Sequence, residues 1–555
     1  MDHILSYLII VPLLGALGVL LLPSGKKQLI RYVGVGVATI NLILSIFLYV
    51  QFDAVGGLQF VERYKWIYVS LGEYGIFNAN YFLGVDGISI SMVLLSGIVF
   101  FVGAIASFNI EHKLKGYFSL YLILMSSVFG CFVALDMLLF YLFFEFMLLP
   151  LYFLIGIWGG KRREYAAIKF FIYTLVGSVL ILLVMIGLYS SVYDPSATIA
   201  ALAKISNIRL DNLPQLLTII DQHPENVVHT FDMILMKNQV NYLESSIFDY
   251  DQVNLIFGWS ARTVAFLAVF IGFAIKLPAF PLHTWLPDAH VEAPTAVSVV
   301  FAGILLKVGG YGLIRICYAI FPQEAASFSF YIALIGVISI LWGAYNALAS
   351  KDLKKLVAYS SISHMGFVLL GLAAFTTEAY NGAIYVMFSH GILSAMLFIL
   401  VGVLYDRTYD RFIDGYKGLA SKMPYYTVFV TIAFFASLGL PGFSTFIGEV
   451  FVFLGSFKSE TLNGLVPRWI VALALLGLVL GAAYFLWALQ RVFFGKFWVK
   501  DESWNSQLSD LNVREYLMLT PLAVLALVFG ILPGLLLDKI SPEVNEFVAT
   551  LIDQL

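Results

Sequence analysis

Four charged side chains stand inside apolar runs too long for them to reach water. Glu145 lies in LLFYLFFEFMLLPLYFLIG, Lys276 in AVFIGFAIKLPAFP, Lys307 in VVFAGILLKVGGYG and Glu449 in LPGFSTFIGEVFVFLG. Two imidazoles share such settings, His364 in YSSISHMGFVLL and His390 in IYVMFSHGILSAM, with the hydroxyls of Ser360, Ser361, Ser363 and Ser389 beside them. Carboxylate, amine and imidazole all become exchangeable proton carriers when burial and neighbours tune them. An Asp, Lys or Arg at the centre of a membrane helix costs about 2.5–3.5 kcal/mol on insertion scales, so ionisable residues there face a bundle interior and mark ion pathways. Any one of them is also readable as half of a static ion pair, and a lone histidine as hydrogen-bonded packing. Six titratable groups on six separate segments make a proton relay the simpler account. Lys169 and Arg315 lie nearer segment ends, where snorkelling to the interface is expected.

The backbone beside two of these residues is interrupted. Pro278 and Pro281 follow Lys276; they lack backbone donors and clash with the preceding turn, so the helix is expected to break just after the lysine. Membranes tolerate such breaks only where the freed backbone is buried in protein or faces water. LPGF at 440–443 echoes LPAF at 277–280, again beside a buried charge, Glu449. Paired interruptions in two halves of a chain point to inverted repeats with ion sites at mid-membrane. Here they divide the chain into two five-span units.

The elements that must hold these residues are membrane spans. Of 555 residues 61% are hydrophobic and 12% charged, with mean hydropathy +0.90, whereas soluble domains carry about 25% charged residues. A helix needs about 20 apolar residues to cross a bilayer core. Fourteen segments are expected to cross, at roughly 3–22, 30–50, 82–107, 117–134, 136–158, 166–190, 262–290, 294–320, 328–349, 356–375, 379–404, 424–455, 467–493 and 515–537. The fold class is therefore all-α: a polytopic membrane protein of about fourteen transmembrane helices, with helices seven and twelve broken. The first segment lacks a basic leader and a small-residue cleavage site, and reads as a retained span. Cys131 and Cys317 are isolated within spans, which argues against iron–sulfur ligation or a disulfide framework.

With the N-terminus outside, the inner connections hold 19 of the 32 lysines and arginines, in keeping with the positive-inside rule. Both termini then face out. The stretch at 191–261 turns polar and is expected to be a long outer loop with some short helix, either packed on a neighbouring subunit or a mobile insertion. QFDAVGGLQFVERYKW is expected to form a hairpin.

The strings FFEFMLLPLYFLIGIWGGKRREYAAIKFFIYTLVGS, KLPAFPLHTWLPDAHVEAPTAVSVVFAGILLKVGGYGLIR, KDLKKLVAYSSISHMGF and LGLPGFSTFIGE, with FLGVDGISISMVLL, resemble the antiporter-like membrane subunits of respiratory complex I, the NADH:quinone oxidoreductase. Within that group the chain is most similar to the subunit M branch, whose mitochondrial counterpart is NADH dehydrogenase subunit 4. The likeness runs from about residue 82 to 500; the loop at 191–261 is longer than the family pattern. The resemblance implies proton translocation driven by quinone reduction elsewhere in the complex. It implies that Glu145 pairs with Lys276 and modulates its proton affinity, and that Lys307 continues the charged axis. His364 and His390 would relay protons through hydroxyls and water, and Glu449 would be the exit-side carboxylate. His283 matches the family's LHxWLP histidine beside the seventh-helix break.

The same resemblance implies four regions: three N-terminal spans (1–115), a first antiporter-like repeat (116–320), a second (321–495), and an inner loop with a C-terminal span (496–555). It places no cofactor or metal in this chain; NADH, flavin, iron–sulfur clusters and quinone belong to partner subunits. The expected partners are other membrane-arm subunits and the lipid bilayer, with no nucleic acid. A bacterial cytoplasmic membrane is the expected location. The nearest alternative is a subunit of a multisubunit cation/proton antiporter or membrane-bound hydrogenase. A haem-carrying cytochrome would need paired axial histidines, for which only His364 and His390 are suitably placed.

Overall fold

Apolar runs punctuated by Asp, Asn, Gly and Pro fold here as long helices joined by short turns. The computed structural model describes residues 3–203, 223–244, 246–250, 255–256 and 258–555. In chain order its principal helices are α1 (Ile4–Leu21), α2 (Lys27–Gln51), α3 (Gly87–Ala106), α4 (Leu114–Val133), α5 (Met137–Trp158) and α6 (Arg163–Ser191). The chain continues through α7 (Ala261–Lys276), α8 (Trp285–Glu292), α9 (Thr295–Tyr318), α10 (Ser329–Ala349), α11 (Leu353–Ala373) and α12 (Thr377–Thr408). Then come α13 (Pro424–Ser437), α14 (Ser444–Leu462), α15 (Arg468–Phe493), α16 (Val513–Ile531) and α17 (Gly534–Asp553). Twelve helices among the described residues are long and apolar enough to cross a membrane. Two interrupted pairs, α7/α8 and α13/α14, occupy the stretches expected for the seventh and twelfth spans.

Burial separates the helices that position chemistry from those that face lipid. The apolar windows of α9 and α12 are wholly enclosed, and those of α3 and α11 nearly so, whereas α2, α6 and α15 bury well under half of theirs. Lys307, His390 and His364 therefore ride on the central helices. α9 is not uniformly α-helical: π-helical turns at Phe301–Leu305 and Leu313–Tyr318 flank Lys307, and such turns inside helices recur at functional sites.

One face of the bundle carries a small sheet. β1 (Gln59–Ser70) pairs antiparallel with β2 (Ile76–Val85), and β3 (Val228–Thr230) adds to β2 in parallel. A hairpin does precede the third span, but not within residues 51–66 as expected: only part of its first strand lies there, its turn falls at Leu71–Gly75, and β2 takes residues assigned to the third span, which starts at Gly87. Asp86 sets the start: its side chain accepts from Ile88 and Ser89 N–H in a capping box. Glu62 of β1 accepts the Leu5 N–H at 2.8 Å and ties the sheet to the start of α1. Part of the long loop folds onto the same sheet: β3 and the helices Pro195–Leu202 and Met233–Met236 belong to it. Its residues 204–222 lie outside the described residues.

The C-terminus departs from expectation. Beyond the last span, α17 lies against the hairpin face. Leu536, Ile540, Val544, Val548 and Leu551 recur every three or four residues and are buried, forming the single apolar stripe of a surface helix. Gly57 N–H donates to Glu543 at 3.0 Å, and Lys539 to the Phe52 carbonyl, fastening α17 to the turn before the hairpin.

Candidate functional site

The first break is built as the prolines require. α7 ends on Lys276, and Leu277 N–H still reaches Phe273 O at 2.8 Å. Beyond it the freed groups find side chains: Phe280 N–H donates to Ser339 Oγ at 3.0 Å, and Trp285 Nε1–H donates to Ile275 O at 2.9 Å. Gly309 of α9 lets this break approach closely, since a Cβ there would lie 2.6 Å from Leu277 N. Lys276 is buried, and its ammonium rests 4.7 Å from the centre of the Phe144 ring, a cation–π arrangement.

Glu145, half-buried on α5, is within electrostatic reach of Lys276, but the expected pairing is not a contact. Neither Lys276 Nζ nor Glu145 Oε1 has a hydrogen-bond partner among the described residues. The acid instead sits beside the Tyr141 phenol, which Ser178 also approaches. Buried polar atoms left in this condition are those that ordered water ordinarily satisfies.

The remaining expected residues form a connected row. Lys307, fully buried on α9, donates to the Ala302 carbonyl, and its Nζ lies 2.7 Å from His390 Nδ1. The His390 and His364 rings are 5.4 Å apart between centres. His364 Nδ1 lies 3.5 Å from Glu449 Oε1. Four titratable side chains from α9, α12, α11 and α14 are thereby strung together. The expected hydroxyl relays are not part of the row: Ser360, Ser361, Ser363 and Ser389 all donate to backbone carbonyls. Ser360, Ser361 and Ser389 bond carbonyls three or four residues back in their own helices, Ser363 bonds Ile340 O of α10, and each such bond competes with any bond to imidazole.

The second break lies under the end of this row. α13 stops at Ser437 and α14 starts at Ser444; between them Gly439 and Gly442 adopt φ of +79° and +98°, open to glycine at little steric cost. Gly439 faces the acid directly, since a Cβ on it would fall 2.5 Å from Glu449 Oε2. Ser437 Oγ, Ser444 Oγ and Thr445 Oγ1 are buried there without partners among the described residues.

Other residues land differently. His283 is buried beside the first break, its ring 5.7 Å from that of Phe280, and Nδ1 has no hydrogen-bond partner among the described residues. Arg315 does not snorkel. It is buried in an ion pair with Asp86, the residue that caps α3, because the hairpin and α17 cover that end of α9. Lys169 reaches Asp288 of α8 at 2.7 Å and stays partly exposed. On the hairpin face, burial and then Arg315 hold the Lys237 ammonium down to about 8, against the opposing pull of Asp86, Glu543 and Asp232.

Sequence reasoning missed two buried bases. Lys354, two residues before the span expected at 356–375, lies in the first turn of α11, buried, with Nζ donating to Ala293 O. His290, near the end of α8, is fully buried with both ring nitrogens unpartnered among the described residues. The signal available was the position of each within two residues of a helical apolar run.

Comparison with known proteins follows the same lines. The family model described as NADH:quinone oxidoreductase/Mrp antiporter, TM, matches residues 134–220 and 227–477. A NADH-quinone oxidoreductase subunit M from Rhodobacter capsulatus is 36% identical over 559 residues, covering 99% of this chain and 97% of its own. A chain in the structure of respiratory complex I from Thermus thermophilus with bound NADH aligns with TM-score 0.77 at 28% identity, covering 99% of both chains. A chain of the Mrp complex from Dietzia sp. DQ12-45-1b gives TM-score 0.76 over 100% of this chain and 99% of its own. Its 19% identity makes that a likeness of fold alone.

Proposed function

Because the chain belongs to the NADH:quinone oxidoreductase/Mrp antiporter membrane family, we propose that it is the proton-translocating membrane-arm subunit M of an NADH:quinone oxidoreductase. The observation that carries the reading is the row Lys307–His390–His364–Glu449, in which every neighbouring pair is close enough to exchange a proton directly or through one water. Protons move along this row toward Glu449 and leave where the second break supplies unpartnered hydroxyls. The unpaired Lys276 and Glu145 are the coupling element. A signal arising from quinone reduction in partner subunits, which also hold NADH, flavin and iron–sulfur clusters, changes their separation and drives the lysine's proton into the row. Moving one charge against 100 mV takes about 2.3 kcal/mol. A buried Lys–Glu pair a few ångströms apart interacts by about 4 kcal/mol at an effective dielectric of about 20, enough to drive the step.

The two five-span units, α4 to α9 and α10 to α15, act as inverted repeats, each with its own break and buried charges. The hairpin face looks out of a bacterial cytoplasmic membrane and carries both termini; the excess of lysine and arginine in the opposite connections supports that orientation.

The direct test is His390→Ala in sealed membrane vesicles. It removes the ring that joins Lys307 to His364 along the row, and NADH-driven proton uptake per NADH oxidised is expected to fall with the complex still assembled. Full stoichiometry in that variant would make the reading wrong. A cation/proton antiporter subunit would instead show sodium-dependent transport without redox partners.

A further inference from the structure

The Lys276 ammonium is seated among aromatic rings, although a carboxylate stands close by. It lies 4.7 Å from the centre of the Phe144 ring of α5 and 6.0 Å from that of Phe170 of α6, both within the range of cation–π attraction. Both rings are buried, and each is held by further rings. Phe170 packs with Trp285 of α8 at 5.4 Å and Phe301 of α9 at 5.2 Å, and Trp285 is itself hydrogen-bonded to Ile275 O, one residue before the lysine. That wall is tied to the first break. Phe144 is set edge-on to Phe273 of α7 at 5.8 Å and stacks on Phe140 at 5.9 Å. It differs from Phe170 in its chain neighbour, because the next residue on α5 is Glu145.

α5 therefore offers one ammonium two alternative seats, a π face and a carboxylate, at successive positions that leave the helix about 100° apart. The π face is the one in use: Lys276 Nζ makes no hydrogen bond to Glu145 or to any other described residue. The helix is also weakest where the choice is made. Its ladder is interrupted at Met147, because Pro150 has no N–H to offer the Phe146 carbonyl and its ring crowds that carbonyl. The next bond, Leu151 N–H to Met147 O, is long at 3.4 Å. Packing alone explains an apolar wall along the lysine stem. It does not explain a buried ammonium placed against two rings, without an acceptor, one residue away from an acid.

We propose that Phe144 and Phe170 are positioning residues that hold the Lys276 ammonium off Glu145, and that α5, loosened at Met147, exchanges the Phe144 ring for the Glu145 carboxylate before it. The inference deepens the reading of Lys276 and Glu145 as the coupling element and rests on it. No bond to hydrogen is made or broken in the exchange. Phe170, tied to the break through Trp285, keeps the ammonium in place. Phe144, carried by the helix that bears the acid, is the ring that leaves. The two rings thus set which seat the lysine occupies at rest, and so how far the pair's separation changes when partner subunits act on it.

The test uses assembled complex in sealed vesicles and changes the ring's electrons while leaving its packing in place. Phenylalanine carrying one, two or three ring fluorines is inserted at position 144; each fluorine drains the π face, and the ring stays apolar and close to its original size. A desolvated cation–π seat is worth on the order of tenfold in occupancy, so the initial rate of NADH-driven proton uptake, normalised to assembled complex, is expected to fall step by step, by about tenfold at the trifluorinated ring. The same series at position 170, the more distant ring, is expected to give a shallower slope. Phe144→Trp keeps a π face and is expected to pump faster than Phe144→Leu, which keeps only apolar bulk. A ring that serves packing alone gives no slope. Flat uptake across the series at position 144, a steeper slope at position 170, or Phe144→Leu pumping as fast as Phe144→Trp overturns the proposal. Glu145→Gln is run in parallel. If that variant fails to pump while all the fluorinated rings pump alike, the coupling pair stands and the aromatic seat falls; if Glu145→Gln pumps normally, the coupling reading itself falls and the seat with it.

Discussion

The most discriminating prediction concerns two glycines three residues apart. Both Gly439 and Gly442 have positive φ, so alanine at either costs about 1–2 kcal/mol of backbone strain. They differ in what a methyl group meets: at Gly442 nothing lies within 4 Å, whereas at Gly439 the Glu449 carboxylate oxygen is at 2.5 Å. Relieving that overlap moves the carboxylate by roughly 1 Å, since contacts to Cβ are ordinary from about 3.4 Å. His364 and Glu449 are 3.5 Å apart. At an effective dielectric of about 20, the attraction between the carboxylate and a proton on His364 is about 4.7 kcal/mol at that distance and about 3.7 kcal/mol at about 4.5 Å. The loss of about 1 kcal/mol corresponds to a roughly sixfold smaller fraction of His364 carrying the proton it hands to Glu449. Gly439→Ala is therefore expected to pump several-fold more slowly than Gly442→Ala, while both lose similar stability. The assay is initial NADH-driven proton uptake in sealed vesicles, normalised to assembled complex. Equal rates in the two variants would refute the idea that the position of Glu449 against His364 limits transfer.

Three further outcomes follow from local chemistry. Trp285→Phe deprives Ile275 O of its donor at the first break; an unmet buried carbonyl costs about 1–3 kcal/mol, and a lower unfolding temperature with weaker uptake is expected. Arg315→Ala leaves Asp86 as a buried uncompensated charge, a loss of about 3–5 kcal/mol. Arg315→Met with Asp86→Asn, which keeps a capping side chain, is expected to recover most of the assembled complex on native gels. Lys237 has a folded-state value of about 8, below its ordinary 10.5, so between those values the unfolded chain binds more protons and stability rises with pH. Lys237→Met is thus expected to raise the melting temperature below about pH 8, by no more than about 3 kcal/mol in stability, with the benefit fading toward about pH 10.5; an unchanged difference across that range would remove the argument.

Much of the site was legible because membranes penalise charge so steeply. Glu145, Lys276, Lys307 and Glu449 announce themselves by sitting in runs where no side chain of their length reaches water, and Pro278 and Pro281 announce a break by lacking donors. The errors share one cause. Arg315 near a span end and Lys354 near a span start look equally able to reach solvent in one dimension. Yet Asp86 and the hairpin enclose the first, and the α8–α9 turn encloses the second. The apolar stripe of the C-terminal α17 is too sparse to mark a span, although it suffices for a helix lying on a protein surface.

Composition and local pattern thus decide that the chain inserts, where its helices run and break, and which ionisable groups are buried, because those outcomes depend on transfer energies summed over neighbouring residues. Which groups meet is another matter. Lys307 and His390 are 83 positions apart and touch at 2.7 Å, while Glu145 and Lys276, the pair expected to touch, do not. A shift of one residue turns a helix by about 100° and carries a side chain from one neighbour to another. Those rotations are set by packing among a dozen helices at once, by contacts such as Gly309 against Leu277 and Gly439 against Glu449. Only the assembled bundle brings them about.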